Sequence, residues 1–393
     1  MTRTERPPSD NSRPARSIDA FVDATPATRD RYIDFLRALS IVVVVLWHWV
    51  FSITHWTSDG RLTMPNPIGG IPLLWSATWL LQIIPVFFFV GGFSNYTGWI
   101  ASRRERGTDT AFVRSRLSRI LAPVTAFIGT WVVIEVIGRL VVADYRGVWH
   151  WGRVVFVPLW FIGVYAGVIL LVPLTARLHR TAPVRTICVL GAAIAAVDLV
   201  RFQFGVGGIG VLNGAFVFLF SHQLGYFYAD GTLTRWSRQR LWALTLASLV
   251  ALTALTSIGL YPRSMVASTG GRFSNLNPPT VVIACLAVFQ VGVAMLLRGA
   301  TTRWLARRRP WRAVIAINGV IMTLFVWHMS AYVLALGLVQ LAAGAPGAHA
   351  TGTWWFERPV WLVLPALMLV PLVALFARVE LRRIRSGCDG AGG

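Results

Sequence analysis

One apolar stretch, residues 31–51 (RYIDFLRALSIVVVVLWHWVF), carries three side chains that do not suit the interior of a bilayer. Asp34 and Arg37 stand at one end of it, and His48 lies deep in the other half. At the helical period all three fall on one stripe, with Leu, Val, Trp and Phe on the other faces. Ionisable groups within a membrane span are costly and commonly mark functional sites. The stripe therefore predicts contact with protein or with a water-filled cavity.

Histidine suits proton transfer because its unperturbed pKa of about 6.5 lets it take and return a proton at neutral pH. Arg37 and His48 are eleven residues apart, roughly 16 Å along a helix axis, so the two side chains cannot touch. The spacing alone leaves two readings of His48. It is a functional group, or it is a neutral histidine that hydrogen-bonds a neighbouring helix.

The composition places these residues in a polytopic membrane protein. Hydrophobic residues make up 55% of the 393 positions, the mean hydropathy is +0.60, and 13% of residues are charged, against about 25% in an average soluble domain. The three cysteines lie far apart, so they predict neither a disulfide framework nor a zinc site.

The elements that must position the stripe are helices. We expect an all-α integral membrane protein of about ten transmembrane helices, because ten apolar runs follow one another and most reach about 20 residues. Residues 1–30 are predicted to be a disordered cytoplasmic lead, 31–378 the transmembrane domain, and 379–393 a short cytoplasmic tail. The predicted runs are 33–54, 71–100, 120–142, 154–176, 184–200, 209–229, 241–260, 279–297, 313–342 and 360–377.

The arginines indicate how the chain is oriented. Of the 37, 28 lie in segments on the side of the N-terminus, seven lie on the opposite side, and two lie within spans. This asymmetry predicts that both termini are cytoplasmic. Because topology accounts for most of the net charge of +21, we expect no nucleic-acid partner.

The spacing RxxxxxxxxxxH formed by Arg37 and His48, introduced by IDFLRA, resembles the opening motif of the acyltransferase 3 family of integral-membrane O-acyltransferases. One departure is Gly91, which stands where that family usually has serine. Further segments similar to the family are IPVFFFVGGF (84–93), RSRLSRILAP (114–123), PLWFIGVY (158–165) and FVWHMSAYV (325–333).

The resemblance implies transfer of an acyl group, most often acetyl, from cytoplasmic acyl-CoA to a hydroxyl of a carbohydrate or glycosylated product. It makes His48 the candidate general base, or the residue that briefly holds the acyl group. Asp34 and Arg37 are expected at the cytoplasmic mouth, where they hold the donor or shape the opening. We expect no permanently bound cofactor and no metal, with acyl-CoA as donor substrate.

A cluster of arginines is the candidate site for the phosphates of the donor. Arg116 and Arg119 are expected at the start of a helix, and Arg103 and Arg104 at the end of the preceding one, so that their guanidinium groups converge on an anion. The same arginines also satisfy the positive-inside rule, which any cytoplasmic loop obeys. The sequence is compatible with both explanations, phosphate binding and membrane topology.

Other polar or aromatic residues within the spans are secondary candidates. Glu135 and Arg139 are expected to form a mutual ion pair, and Trp160 and Trp327 are expected at packing or interface positions. His328 is predicted to assist His48 or to orient the acceptor.

Two further expectations concern the edges of the membrane. We expect His222 at the cytoplasmic interface, near the end of the sixth run. The polar segment 261–280 on the opposite side is expected to shape the opening for the acceptor.

The competing function is transport or lipid flipping, with the His48 stripe as a proton relay or substrate path. Transporters of this kind are built from internal repeats with broken helices at matching positions, and the sequence shows neither. We therefore expect an enzyme of the cell membrane whose partners are acyl-CoA, a carbohydrate-bearing acceptor and the lipid bilayer. We also expect no fused hydrolase-like domain, because the chain ends about 16 residues after the last run.

Overall fold

The computed structural model of the protein describes residues 18–69, 71–267, 274–344 and 354–389. Within these ranges the fold is all-α, apart from one small antiparallel pair of strands, β1 (His55–Trp56) and β2 (Leu62–Thr63). The helices are α1 (Ile18–Asp23), α2 (Arg31–Val50), α3 (Leu74–Leu81), α4 (Ile84–Arg104), α5 (Asp109–Val141), α6 (Val148–Trp151), α7 (Leu159–Thr181), α8 (Pro183–Gln203), α9 (Leu212–Ala229), α10 (Arg238–Ser257), α11 (Val281–Leu305), α12 (Arg308–Gly319), α13 (Ile321–Ala343) and α14 (Trp354–Asp389).

Ten segments of the described chain are long and apolar enough to cross a bilayer, which confirms the prediction of ten spans. They are α2, α3 with α4, α5, α7, α8, α9, α10, α11, α13 and α14, the fourth and sixth each beginning with a short 3₁₀ turn. The apolar window of α13 is 61% buried, whereas that of α8 is 17% buried. Helix α13 therefore lies in the interior of the bundle and α8 at its periphery.

Helix α2 begins where an aspartate can cap it. The Asp30 carboxylate accepts hydrogen bonds from the amides of Tyr32 at 3.0 Å and Ile33 at 3.1 Å, satisfying two of the free amides of the first turn. This cap determines the position of Asp34 and Arg37 in the following turns. We call the side where α2 begins the proximal side, and the side where it ends the distal side.

The second apolar run is a broken helix rather than one continuous span. Pro85 lacks an amide hydrogen and its ring would collide with the preceding turn, so α3 ends and α4 begins afresh. The side-chain amide of Gln290 on α11 donates to the carbonyls of Trp79 and Gln82, both at 3.1 Å. A buried side chain thus satisfies backbone groups that the break leaves open.

Two helix boundaries differ from the sequence prediction. Helix α5 begins at Asp109, capped by Thr108, instead of near residue 120. Arg116 and Arg119 are therefore about two and three turns inside this helix, and their prediction at a helix start was wrong. The polar first turns are tolerated because they extend beyond the apolar part of the span.

The predicted ninth run, 313–342, divides into α12 and α13. Helix α12 buries Trp311 and Val314 on one face and carries arginines on the other, and Arg308 pairs with Asp23 at 2.8 Å. A helix with one apolar and one cationic face lies along a membrane surface instead of crossing it. The span therefore begins only at α13.

The two predicted terminal segments are partly described. Of the lead 1–30, residues 1–17 lie outside the described residues, and the rest differs from a disordered segment because it contains α1. This helix packs on α12, with Val22 and Trp311 in one apolar cluster. At the other end α14 continues through Asp389, so the described part of the expected tail 379–393 is helical.

Candidate active site

Two histidines separated by 280 positions in the chain meet between α2 and α13. Nδ1 of His48, in the last turn of α2, lies 2.9 Å from Nε2 of His328, and the two ring planes differ by 13°. His328 is fully buried, whereas His48 keeps part of its surface accessible. The indole of Trp49 donates to the carbonyl of His328 at 3.1 Å, which ties the two helices together at the same level.

The hydrogen bonds determine which nitrogens carry protons when both rings are neutral. Nδ1 of His328 lies 2.7 Å from the carbonyl oxygen of Phe325, and a carbonyl can only accept, so this nitrogen is the protonated one. Nε2 of His328 is then an acceptor, and Nδ1 of His48 donates to it. Nε2 of His48 is left with its lone pair free, and no other described side chain hydrogen-bonds to it.

The distal end of α2 is held by a buried arginine. The guanidinium of Arg358, 6% exposed, donates to the carbonyls of Val50 at 3.2 Å and Ser52 at 3.3 Å and lies 4.1 Å from the ring centroid of Trp354. A cation at the carbonyl end of a helix stabilises that end. The hydroxyl of Ser52 donates to the carbonyl of His48 at 2.5 Å, so the turn that carries the histidine is well constrained.

A cavity of about 300 Å³ opens beside His48 on the distal half of the bundle. Its lining comes from α2, the α3–α4 break, the start of α7, α13 and two distal loops, and it includes Ile41, Val44, Trp47, Phe87, Phe161, Phe325 and Met329. Ala267 and Leu276 also line it, so the described part of segment 261–280 forms part of the cavity wall; residues 268–273 lie outside the described residues.

Asp34 and Arg37 form an ion pair on the proximal side. The Asp34 carboxylate accepts from Arg37 at 3.0 Å and from Arg29 at 2.6 Å, and its side chain is 8% exposed. The buried carboxylate is therefore neutralised from both sides. It orients Arg37, whose side chain remains 28% exposed.

Ser94 on α4 joins two of the predicted arginines. Its hydroxyl accepts from Arg37 at 2.6 Å and its carbonyl accepts from Arg116 at 2.9 Å. Arg116 also lies against Gly98, where any Cβ would overlap the guanidinium. Two cations thus meet at one point on α4, in a place where an anion can be held by charge-assisted hydrogen bonds.

The remaining arginines of the predicted cluster do not bond at Ser94. Arg103 donates to the carbonyl of Gly107 in its own loop at 3.1 Å, and Arg104 and Arg119 are exposed. No hydrogen bond or ion pair within the described chain brings Arg103 or Arg104 to Arg116. The loop that joins α4 to α5 directs these side chains outward.

Gly91, the position where the family usually has serine, faces a tyrosine. A Cβ at this position would lie 2.8 Å from the hydroxyl oxygen of Tyr165. Next to it, the Asn95 amide contacts Tyr165 at 3.4 Å and Nε2 of His222 at 3.1 Å. His222 is 1% exposed, so its prediction at the interface was wrong; the closely packed α4 and α9 enclose it.

Glu135 and Arg139 form the predicted ion pair, with 2.6 Å between guanidinium nitrogen and carboxylate oxygen. Glu135 also accepts from the amide of Val148, the first residue of α6, at 2.7 Å and from the hydroxyl of Tyr145 at 3.3 Å. The carboxylate therefore fastens the distal loop after α5, which leads to the cavity wall.

The two singled-out tryptophans have different surroundings. Trp160 lines the cavity and is 44% exposed, with its ring beside Phe161. Trp327 is buried and stacks on Phe376 with 4.1 Å between ring centroids, the packing position expected for it. Of these two tryptophans, Trp160 is therefore the one that can contact a molecule in the cavity.

These features agree with one comparison across nearly the whole chain. The family model of acyltransferase 3, described as an acyltransferase domain, matches residues 30–378. The chain belongs to the acyltransferase 3 family. Comparison with curated proteins and with solved structures finds no match.

The acyltransferase is thus a multi-pass membrane protein with two polar centres on the same stripe of α2. The proximal centre holds Arg37 and Arg116 at Ser94, and the distal centre holds the paired histidines beside a cavity. Within the described residues no three His, Cys, Asp or Glu side chains come together as ligands for a metal ion. The two centres offer an imidazole pair and two guanidinium cations.

Proposed function

We propose that this acyltransferase moves an acyl group, acetyl in the first instance, from acyl-CoA in the cytoplasm to a hydroxyl of a carbohydrate or glycosylated product at the cell membrane. The observation that carries the proposal is the contact between His48 and His328 beside the cavity. A free imidazole nitrogen next to a cavity can accept the proton of a bound hydroxyl.

In the direct route, Nε2 of His48 takes the hydroxyl proton as the oxygen attacks the thioester carbonyl. The new C–O ester bond forms, the C–S bond breaks, and the proton passes to the CoA thiolate. His328 accepts from Nδ1 of His48, so it holds the ring in the tautomer that leaves Nε2 basic, and it stabilises the charge that His48 acquires. His328 is thus a positioning residue.

In the second route His48 carries the acyl group. Nε2 attacks the thioester carbonyl, the C–S bond breaks, and CoA leaves as the thiolate, which gives an acyl-imidazolium at His48. The acceptor hydroxyl then attacks this acyl group, the C–N bond breaks and free His48 is regenerated; the hydroxyl proton is released, and the CoA thiolate takes up one proton. The same free nitrogen serves both routes. They differ in whether an acylated enzyme forms before the acceptor binds.

The donor binds from the proximal side in this proposal. Arg37 and Arg116 hold a phosphate of CoA, and the flexible arm of the donor reaches along the stripe of α2 toward His48. Ile41 lines the cavity and lies one turn beyond Arg37, roughly 6 Å along the axis. The excess of arginine on the proximal side supports a cytoplasmic location for this centre.

The first test measures release of free CoA thiol from acetyl-CoA by the purified protein in nanodiscs, with a mixed pool of glycan acceptors. We expect release by the wild type and its loss in His48→Ala. Mass spectrometry of the protein after incubation without acceptor separates the two routes, because only the second leaves an acyl group on His48. If neither acetyl-CoA nor longer acyl-CoAs bind or turn over, the proposal fails and transport becomes the better explanation.

A further inference from the structure

The cavity beside His48 reaches the outer surface of the helix bundle at the start of α7. Val157 and Trp160 both line the cavity, yet they expose 40% and 44% of their surface. Leu81 of α3 forms part of the cavity lining, and its neighbour Leu80 is 62% exposed. The rim formed by these four residues, here called the α3–α7 rim, is entirely apolar, and it belongs to segments apolar enough to lie in a bilayer.

The size of the cavity limits what it can enclose. Its volume of about 300 Å³ is at the small end of ligand pockets, which run from about 300 to 1,000 Å³. It therefore encloses a small acceptor or one end of a larger one. Any larger acceptor must extend out of the cavity, and the α3–α7 rim is where the cavity meets the surface in an apolar part of the chain.

The lining offers few polar groups to an acceptor. Eighteen of its 23 residues are apolar. Among the polar ones, the Ser52 hydroxyl bonds to the carbonyl of His48, the Thr78 hydroxyl bonds to Trp75, and the Asn66 amide bonds to the carbonyl of Ala267. His48 and Gln82 remain. An acceptor of several sugar rings enclosed here would leave many hydroxyls unpaired, at a cost of about 1–3 kcal/mol each.

We infer that the acceptor is an amphiphile: one ring carrying the reactive hydroxyl enters the cavity, and an attached apolar body remains in the bilayer and passes through the α3–α7 rim. This inference rests on the proposed function for the identity of the reactive group. It adds the chemical class of the acceptor and its path. Trp160 lies at the rim, where its ring can contact a sugar face and its edge the apolar body.

The test is a protection experiment that needs no acyl transfer. Met64, in the cavity lining, is replaced by cysteine in a background where the three native cysteines are changed (Cys188→Ser, Cys285→Ala, Cys388→Ser). The protein is placed in nanodiscs and labelled with a charged maleimide, with or without decyl β-D-glucopyranoside or methyl β-D-glucopyranoside below the micellar concentration. Arg61→Cys, an exposed position in the neighbouring distal loop, is the matched control.

We expect decyl glucoside to slow labelling of Met64→Cys at least tenfold, and the methyl glucoside to slow it less than twofold. Labelling of Arg61→Cys should not change with either glucoside. Val157→Trp on one wall and Leu81→Trp on the other should each abolish the protection. Two blocking variants guard against misfolding of one, and an unchanged melting temperature of each variant reports an intact fold.

Equal protection by both glucosides would overturn the inference, and so would protection that survives both blocking variants or no protection at all. These outcomes are separate from the fate of the proposed function. Release of CoA that depends on His48, together with equal protection by both glucosides, would leave the acyltransferase chemistry standing and remove the path through the bilayer. Protection by decyl glucoside alone, without CoA release, would support the path through the bilayer and contradict the proposed acyl transfer.

Discussion

The carbonyl oxygen of Phe325 accepts a hydrogen bond at 2.7 Å from Nδ1 of His328, three residues later in α13. In many catalytic dyads an acidic side chain orients the histidine, whereas here the backbone of the same helix does so for His328. The tautomer of His328, and through it that of His48, therefore follows from the helical conformation of α13. Because substitution of a side chain does not remove a backbone carbonyl, variants can test this arrangement only at His48 and His328.

The first prediction concerns His328. His328→Ala should lower kcat about 10- to 100-fold, as loss of a group that orients a catalytic residue commonly does, while the KM for acyl-CoA stays within twofold. His48→Ala should lower kcat by about 10²–10⁴-fold, the usual contribution of a general base. His328→Gln should recover part of the loss, because its amide oxygen can still accept from Nδ1 of His48.

The control for this series is His179→Ala. His179 is equally buried and hydrogen-bonds Asp230 at 3.1 Å and Gln223 at 2.6 Å, so its removal disturbs a comparable polar contact away from the dyad. Activity of this variant near that of the wild type would show that losing a buried histidine is tolerated. An equal fall in kcat for His179→Ala and His328→Ala would contradict the positioning role.

The second prediction concerns donor binding at the proximal centre. Arg37→Met should weaken acetyl-CoA binding about 10- to 100-fold, because a hydrogen bond to a charged group contributes about 1.5–3 kcal/mol. Asp34 keeps its partner Arg29 in this variant, so no buried carboxylate is left unpaired. Equilibrium binding of acetyl-CoA measures the effect, and Arg309→Met, an exposed arginine of α12, should bind as the wild type does.

The stripe formed by Asp34, Arg37 and His48 could be predicted from the sequence, because their spacing places all three on one face of a single helix. The pairing of His48 with His328 could be suggested but not located, because it joins helices 280 residues apart and depends on how α2 packs against α13. The ten spans could be predicted because the length and hydropathy of an apolar run are local properties of the chain.

Other features depended on contacts that spacing does not encode. Arg358 caps the end of α2, whereas in the sequence it is one of the seven arginines on the side opposite the N-terminus. The sequence feature that could have indicated this capping role is an arginine close to several tryptophans at the start of a span. Arg103 was expected near Arg116 because the end of one helix and the start of the next were expected to meet, but Arg103 bonds to the carbonyl of Gly107 close by. Pro85 is the sequence signal for the break between α3 and α4, but the long apolar run 71–100 predicted one continuous span.

The third prediction concerns the close contact of α4 with α9. A Cβ on Gly225 would overlap the carbonyl of Phe89, and one on Gly92 would overlap the carbonyl of His222. Gly225→Ala and Gly92→Ala should therefore each destabilise the protein by about 1–3 kcal/mol. Gly129→Ala, where no atom lies within 4 Å of the added carbon, should not. Thermal unfolding followed by size-exclusion fluorescence compares them, and equal melting of Gly225→Ala and Gly129→Ala would contradict the contact.

The fourth prediction restores the family's serine. Gly91→Ser should lower stability and activity because the new side chain meets the ring of Tyr165. Tyr165→Ala would remove the obstacle, so the double variant should be more stable than the sum of the two single changes predicts. Additive effects on the melting temperature in the double-mutant cycle would show that Gly91 and Tyr165 are not coupled.

The last prediction is a pH dependence at the proximal end of α13. Glu380 accepts from the amides of Met322 at 3.1 Å and Thr323 at 3.0 Å and from the Thr323 hydroxyl at 2.8 Å. Burial nevertheless raises the pKa of the Glu380 carboxyl, against the opposing effect of these hydrogen bonds. A group whose folded pKa lies above its unfolded value stabilises the protein fully at low pH and loses that contribution as pH rises through the folded pKa. The melting temperature of the wild type relative to Glu380→Gln should therefore fall as the pH rises from about 4, near the usual carboxyl pKa, to about 8. A difference that grows with pH would show that the three donors outweigh burial.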